Sequence, residues 1–206
     1  MEDTQWSRLA SKDIVDKTVA NLNKRNFETI VVSNGREAKD KVLQLIPKNS
    51  EVLAGSSETL RTIGLTAAID DSGDYKSIRK YTMGLDMKTQ MKEMKIARSI
   101  QDYIVGSVAA VTEAGELLVA SNTGSQLGAY SYGASHAILV VGTQKIVKNI
   151  DEGIKRIHEY CLVKETERVK KTYGWPGSAV NKVLVMTGEP VAKRTTVIMV
   201  NEILGF

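Results

Sequence analysis

Apolar and polar positions alternate along this chain in short blocks. Seven blocks are rich in β-branched and apolar residues: "TIVVS" (29–33), "EVLAG" (51–55), "DYIVGSVAAVT" (102–112), "ELLVAS" (116–121), "AILVVG" (137–142), "KVLVMTG" (182–188) and "TTVIMV" (195–200). Such runs, bounded by turn residues, predict strands. Between them the spacing changes to that of helices. Residues 12–26 carry Ile14, Val15, Thr18, Val19 and Leu22 on one face, and residues 36–46 stop before Pro47. Residues 56–64 open on Ser56 and Ser57 and end on Gly64, and residues 150–160 follow Asn149 with Glu152 three positions on, a capping pair. Residues 85–99 set Met87, Met91 and Met94 at helical spacing, a stripe expected to pack into the core. The turn-rich "YGWPGSAVN" (173–181) is expected to be a surface loop.

This alternation of strand and helix predicts an α/β fold with a mostly parallel sheet flanked by helices. A length of 206 residues suits one domain. The expected organisation is a single domain over 1–206, made of an N-terminal helical segment (1–27) and an α/β core (28–206).

Composition narrows the function classes. Hydrophobic residues make up 42% of the chain and charged residues 25%, with a net charge of +4. The lysines and arginines are interspersed with acids, as in "KETERVKK", which describes solvated helix faces and argues against nucleic acid as a partner. The single cysteine, Cys161, allows no internal disulfide and cannot hold a four-cysteine iron–sulfur cluster. His136 and His158 stand at no recognised metal-ligand spacing, and no dinucleotide fingerprint or P-loop is present. The expectation is therefore no metal and no cofactor in this chain. The N-terminus shows no secretory pattern and the apolar runs are too short to span a bilayer, so a cytoplasmic, bacterial-type protein is expected.

Candidate chemistry lies where strands run into loops. One junction is Gly55, Ser56 and Ser57. A second is Asn122, Thr123, Gly124 and Ser125, and a third is Gly142, Thr143 and Lys145. Ligands of open α/β sheets bind outside the carboxyl ends of the strands, and helix N-termini there suit anions. Each junction also has a purely structural reading. Ser56 or Ser57 can cap the next helix, Thr123 with Gln126 can form a capping box over a helix at 124–132, and Lys145 can be a solvated surface lysine. Glu113, in "TEAGE" (112–116), is a candidate catalytic carboxylate, or else one of two acids on a solvated hairpin turn.

Three stretches together carry a family resemblance: "GSSETLRTIGL", then residues 102–157 with "TEAGEL", the "TG" loop, "YG" and "VVGTQKIV" in that order, and finally "TTVIMVNEILGF". The chain resembles the LUD-domain family, the lactate utilization proteins, and within it the small subunit that consists of the domain alone. That resemblance implies a fold like ribose-5-phosphate isomerase and the CoA transferases. It implies lactate catabolism: oxidation of L-lactate to pyruvate beside separate iron–sulfur oxidoreductase subunits, with a small anionic ligand in this chain. It leaves open whether this subunit is itself catalytic or accessory, and whether it forms a homodimer. One departure stands out: members often carry an arginine at the end of a "G-T-G-N-R" motif where this chain has Gln126. Two other readings stay open. One is a free-standing isomerase or CoA-transferase-like enzyme acting on a phosphorylated or CoA-linked substrate; "TEAG" resembles the segment around the transferase glutamate. The other is an interaction protein without a ligand.

Overall fold

A computed structural model describes residues 5–206; residues 1–4 of the expected N-terminal segment lie outside the described residues. In chain order the first half comprises α1 (Lys12–Lys24), β1 (Glu28–Val32), α2 (Gly35–Leu45), β2 (Glu51–Ala54), α3 (Glu58–Thr62), α4 (Leu65–Asp71), β3 (Lys76–Ser77), α5 (Ile78–Met83) and α6 (Met91–Ser99). The second half comprises β4 (Tyr103–Gly106), β5 (Ala110–Thr112), β6 (Leu117–Ser121), β7 (His136–Gly142), β8 (Ile146–Val147), α7 (Ile150–Arg156), α8 (Leu162–Tyr173), β9 (Lys182–Met186) and β10 (Thr195–Val200).

The main sheet has the order β1-β10-β7-β4-β2-β3, and every pairing in it is parallel. All its strands therefore end at one edge. A second sheet, β8-β5-β6-β9, is mixed: β5 pairs β8 in parallel, while the β5–β6 and β6–β9 pairs are antiparallel. The α/β class and the mostly parallel sheet match the sequence expectation.

Alternation along the strands assigns the layers. Leu53, Ile104, Leu139 and Met199 face one way, toward α1 and the inner face of the second sheet, where Val111, Leu117 and Val119 meet them. Their neighbours Val52, Val105, Val140 and Ile198 face the other way, onto Ala38, Val42, Leu60, Leu65 and Ile69 of α2, α3 and α4. Ala110 and Leu118 on the outer face of the second sheet pack with Trp6, Val147 and Ile157. β7 is central and buried throughout except at His136, as its unbroken apolar run implies.

Three expectations change. "DYIVGSVAAVT" is not one strand but two, β4 in the main sheet and β5 in the second, with a corner at Ser107–Ala109. Its apolar pattern continues across the corner because both sheets bury it. The methionine stripe is not core: Met87 is 64% exposed and α6 buries none of its residues. That helix lies at the periphery on α5, so its apolar side stays half open. The elements α4, β3 and α5 lie in a stretch whose period the sequence reading did not resolve. The Asn149 cap stands, since its side chain accepts the Glu152 amide at 2.9 Å. Its helix continues beyond residue 160, through a π-type turn at Ile157–Cys161 into α8.

Candidate functional site

Where the carboxyl ends of β2 and β4 meet β6 there is a cavity of about 350 Å³. Gly55, Ser56 and Ser57 after β2 form one wall, and Ser121, Asn122, Thr123, Ser125 and Gln126 form another. The corner Ser107–Ala109 and Phe206 also line it, and α8 and the 173–180 loop close the far side. Two of the three junctions read from the sequence thus share one cavity. The third does not line it. Gly142 and Thr143 are buried beside the chain's last residues, and the Gln144 side chain donates to the Leu204 carbonyl at 2.9 Å.

The 121–125 loop differs from the expected helix start. Gly124 takes φ +82, and its amide donates to the Ser121 hydroxyl at 2.9 Å. The Ser125 amide is shared with the Thr123 hydroxyl at 3.3 Å, so Thr123 closes a local turn and caps no helix at 124–132. Helical residues begin at 127 and widen into a π-type turn at Ala129–Gly133. Both amides that would have met an anion are therefore used within the loop, and Asn122 is tied to Asn181 at 2.8 Å. An added Cβ at Gly124 would come within 2.7 Å of the Lys182 side chain, which lies over this turn. Gly124 itself does not line the cavity.

The 55–57 loop is different. Ser57 holds the N-cap position of α3, yet its side chain makes no capping bond. Neither serine hydroxyl has a partner among the described residues. Facing the same cavity is Arg98, from the last turn of α6. It is half-buried, and it has no hydrogen bond or acidic partner among the described residues. Burial and the like charge of Arg79 lower its pKa. Across the cavity, Arg168 is fully engaged. It grips Glu165 with two bonds of 2.7 and 2.8 Å, which raises its pKa, and it lies over the Tyr173 ring. Glu58 is likewise held low by its bond to Arg61.

Lys145, read from the sequence as an anion partner or else a surface lysine, does not line the cavity. It is no surface lysine but is fully buried. Its Nζ lies 2.9 Å from the Thr59 hydroxyl, 3.0 Å from that of Ser107, 3.1 Å from the Val108 carbonyl and 3.0 Å from the main-chain oxygen of Phe206. Burial, with the nearby charge of Arg156, pushes its pKa down to about 7. Arg156 is itself buried, bonded to the Ala109 carbonyl and to the Cys161 sulfur at 3.0 Å. Tyr130 reaches the cavity floor over Gly106, where an added Cβ would collide with its hydroxyl. Burial pushes that hydroxyl's pKa up, so it stays protonated.

Glu113 lies outside the cavity. Its carboxylate pairs with Lys17 at 2.8 Å, its amide donates to the Val147 carbonyl, and its carbonyl accepts from Asn21. Glu116 is bound by Arg25 and Thr112. Neither acid is simply in water: the hairpin is stitched to α1.

Comparison with known families identifies the chain. The family model described as the LUD domain matches residues 15–200. The chain belongs to the LUD-domain family. A crystal structure of a DUF162 family protein from Deinococcus radiodurans superposes on this LUD domain with a TM-score of 0.57 at 16% sequence identity. The match covers 94% of this chain and 100% of that one, and at this identity it speaks for the fold. No curated protein matches the chain. Among the described residues no helix is long and apolar enough to cross a membrane, and no group of three or more metal-binding side chains is assembled.

Sequence reading missed Arg98, Ser107 and Tyr130. Arg98 sits in "MKIARS", where it looks like any solvated cation on a lysine-rich helix. Ser107 lies inside what reads as one strand. Tyr130 stands in the quoted "AYSYG" stretch, but nothing local says that its hydroxyl reaches two glycines at the ends of β2 and β4.

Proposed function

We propose that this LUD domain is a lactate utilization subunit that holds a small carboxylate or phosphate between Arg98 and the Ser56–Ser57 loop. The observation that carries this reading is Arg98: a half-buried guanidinium in a shared cavity, with no acid to neutralise it among the described residues. Guanidinium binds carboxylate and phosphate through paired N–H donors, and free hydroxyls beside it complete the polar set. The departure at Gln126 supports the same reading. Gln126 lines the cavity without a charge, and Arg98 brings the cation from another element. Family membership supports a role in the oxidation of L-lactate to pyruvate, with redox centres in separate iron–sulfur subunits and none in this chain. Glu113, on which the transferase-like alternative rests, pairs with Lys17 outside the cavity, which favours the anion-site reading.

Calorimetry with L-lactate, pyruvate and a sugar phosphate tests the site. At least one of them binds, and Arg98→Ala weakens it. If none binds, or the variant binds equally well, the proposal falls.

A further inference from the structure

The floor of the cavity holds a second arrangement, which the anion site does not use. Ser107 lines the cavity at the corner between β4 and β5. Its hydroxyl lies 3.0 Å from the Lys145 amine and 2.7 Å from the Val140 carbonyl. We propose that Ser107 and Lys145 form a serine–lysine nucleophile pair whose substrate is an activated acyl compound, an ester or a thioester.

The hydrogen-bond inventory supports this. Two of the four groups around the amine, the Val108 and Phe206 oxygens, are acceptors, and two, Thr59 and Ser107, are hydroxyls. A neutral amine has two N–H donors for those two oxygens and one lone pair, which can accept the Ser107 proton. Thr59 keeps its own acceptor, the Leu204 carbonyl at 3.1 Å. The three positions of the neutral amine are thus filled, and the Thr59 oxygen at 2.9 Å receives no N–H in that state. When the amine is protonated, its third N–H goes to Ser107 and the serine proton to Val140. Both hydroxyls keep an acceptor in either state, Ser107 through Lys145 or Val140 and Thr59 through Leu204.

Burial and Arg156 on α7 disfavour the charged amine, while Cys161 on the following turn acts weakly the other way. Among the described residues these are the side chains whose charge acts on Lys145; α3 and the corner after β4 bring hydroxyls and a carbonyl, and Phe206, the last residue of the sequence, brings a main-chain oxygen at 3.0 Å. Lowering of a lysine's pKa by burial is how serine–lysine enzymes obtain a base near neutral pH. Tyr130 completes the set. It accepts the Ser107 amide and keeps its own proton for a developing oxyanion.

In the step itself, Ser107 Oγ bonds to the acyl carbon and its proton passes to the Lys145 amine. The carbonyl oxygen becomes an oxyanion facing Tyr130. Collapse breaks the bond to the leaving alkoxide or thiolate, which takes the proton from Lys145 and leaves an acyl-serine. Water, activated by the same amine, hydrolyses that ester and restores Ser107.

A fluorophosphonate probe tests the pair in the intact chain. Mass spectrometry is expected to find one adduct, mapped to Ser107. Its rate of formation rises with pH through about 7, as Lys145 loses its proton. Lys145→Met lowers the rate on the order of 100-fold, the usual worth of a positioned base. If that variant does not fold, the mapped serine and the pH profile of the parent protein decide. No adduct on Ser107 between about pH 6 and 9, or a rate flat in pH, overturns the pair and leaves Lys145 as a buried tether. Carboxylate titration against Arg98 is a separate measurement, so the two proposals fail independently.

Discussion

The TEAGE hairpin and the cavity floor are both dense in polar groups, but they treat them oppositely. At the hairpin every charge is answered. Lys17 meets Glu113, and Arg25 meets Glu116 while also donating to the carbonyls of Ala114 and Thr187. These bonds join α1, the β5–β6 turn and the end of β9. At the cavity three cations stand apart: among the described residues Arg98 has no acidic partner, and no acidic side chain pairs with the buried Lys145 or Arg156. Among the described residues Arg156 also leaves Nε and Nη2 without partners. Saturated polar groups hold a fold together, whereas unsaturated buried ones cost stability and persist where something else uses them. By that criterion the carboxylates that look chemical in the sequence are structural, and the cations that look solvated are the functional candidates.

The largest expected effect is at the hairpin. Gly115 has φ +90, and a Cβ there would lie 2.9 Å from the backbone of Asn21 and Leu22. Gly115→Ala is expected to cost about 3 kcal/mol in denaturant unfolding, through strain and overlap with α1. Ligand affinity should be unchanged; a loss of affinity without a loss of stability would reverse the assignment of the two regions.

Arg98→Ala sharpens the contrast from the other side. Removing one charge-assisted contact is worth roughly 1.5–3 kcal/mol, or about 10- to 100-fold in carboxylate affinity. Stability should move by no more than about 0.5 kcal/mol. A strongly destabilised variant would show instead that Arg98 is a structural cation.

Lys145 predicts a pH dependence of stability. Its pKa falls from 10.5 in the unfolded chain to about 7 in the fold, so between these values the unfolded chain binds more protons. Stability therefore rises with pH across that window, by up to about 1.4 kcal/mol per pH unit, and the lysine's destabilising contribution is fully present below 7. Comparing urea unfolding of the parent and Lys145→Met across this range isolates the slope. Parallel curves would mean that the amine stays charged.

The smallest effect is expected at Thr123. A helix cap would cost about 1 kcal/mol on removal. The structure shows only a 3.3 Å contact to the Ser125 amide, so Thr123→Ala should change stability by less than about 0.5 kcal/mol. A full cap's worth of loss in thermal unfolding would restore the helix-start reading.

How much was legible follows from the range of the forces. β7 and β10 are apolar at nearly every position because both faces of a central parallel strand are covered, and that shows as an unbroken run. The Asn149 cap was legible because its partner lies three residues away. Ordered motifs over 102–157 pointed to the LUD domain, and the match over residues 15–200 agrees. The loops at 55–57 and 121–125 were also visible as turn chemistry, but which of their amides and hydroxyls stay free was not. That depends on Ser121 reaching Gly124 and on Ser57 declining to cap α3.

By itself, then, the sequence determined most of the strands and helices, the parallel α/β class and the family, because periodicity, local capping and turn residues act over a few positions. Tertiary structure alone decided the site. It breaks one apolar run at Ser107–Ala109 between two sheets, brings α6 close enough to present Arg98, and buries Lys145 against residues 37 to 86 positions away along the chain. The charge state of a lysine depends on the solvent it loses and the charges it meets. Both are set by residues distant in the chain, which no local pattern records.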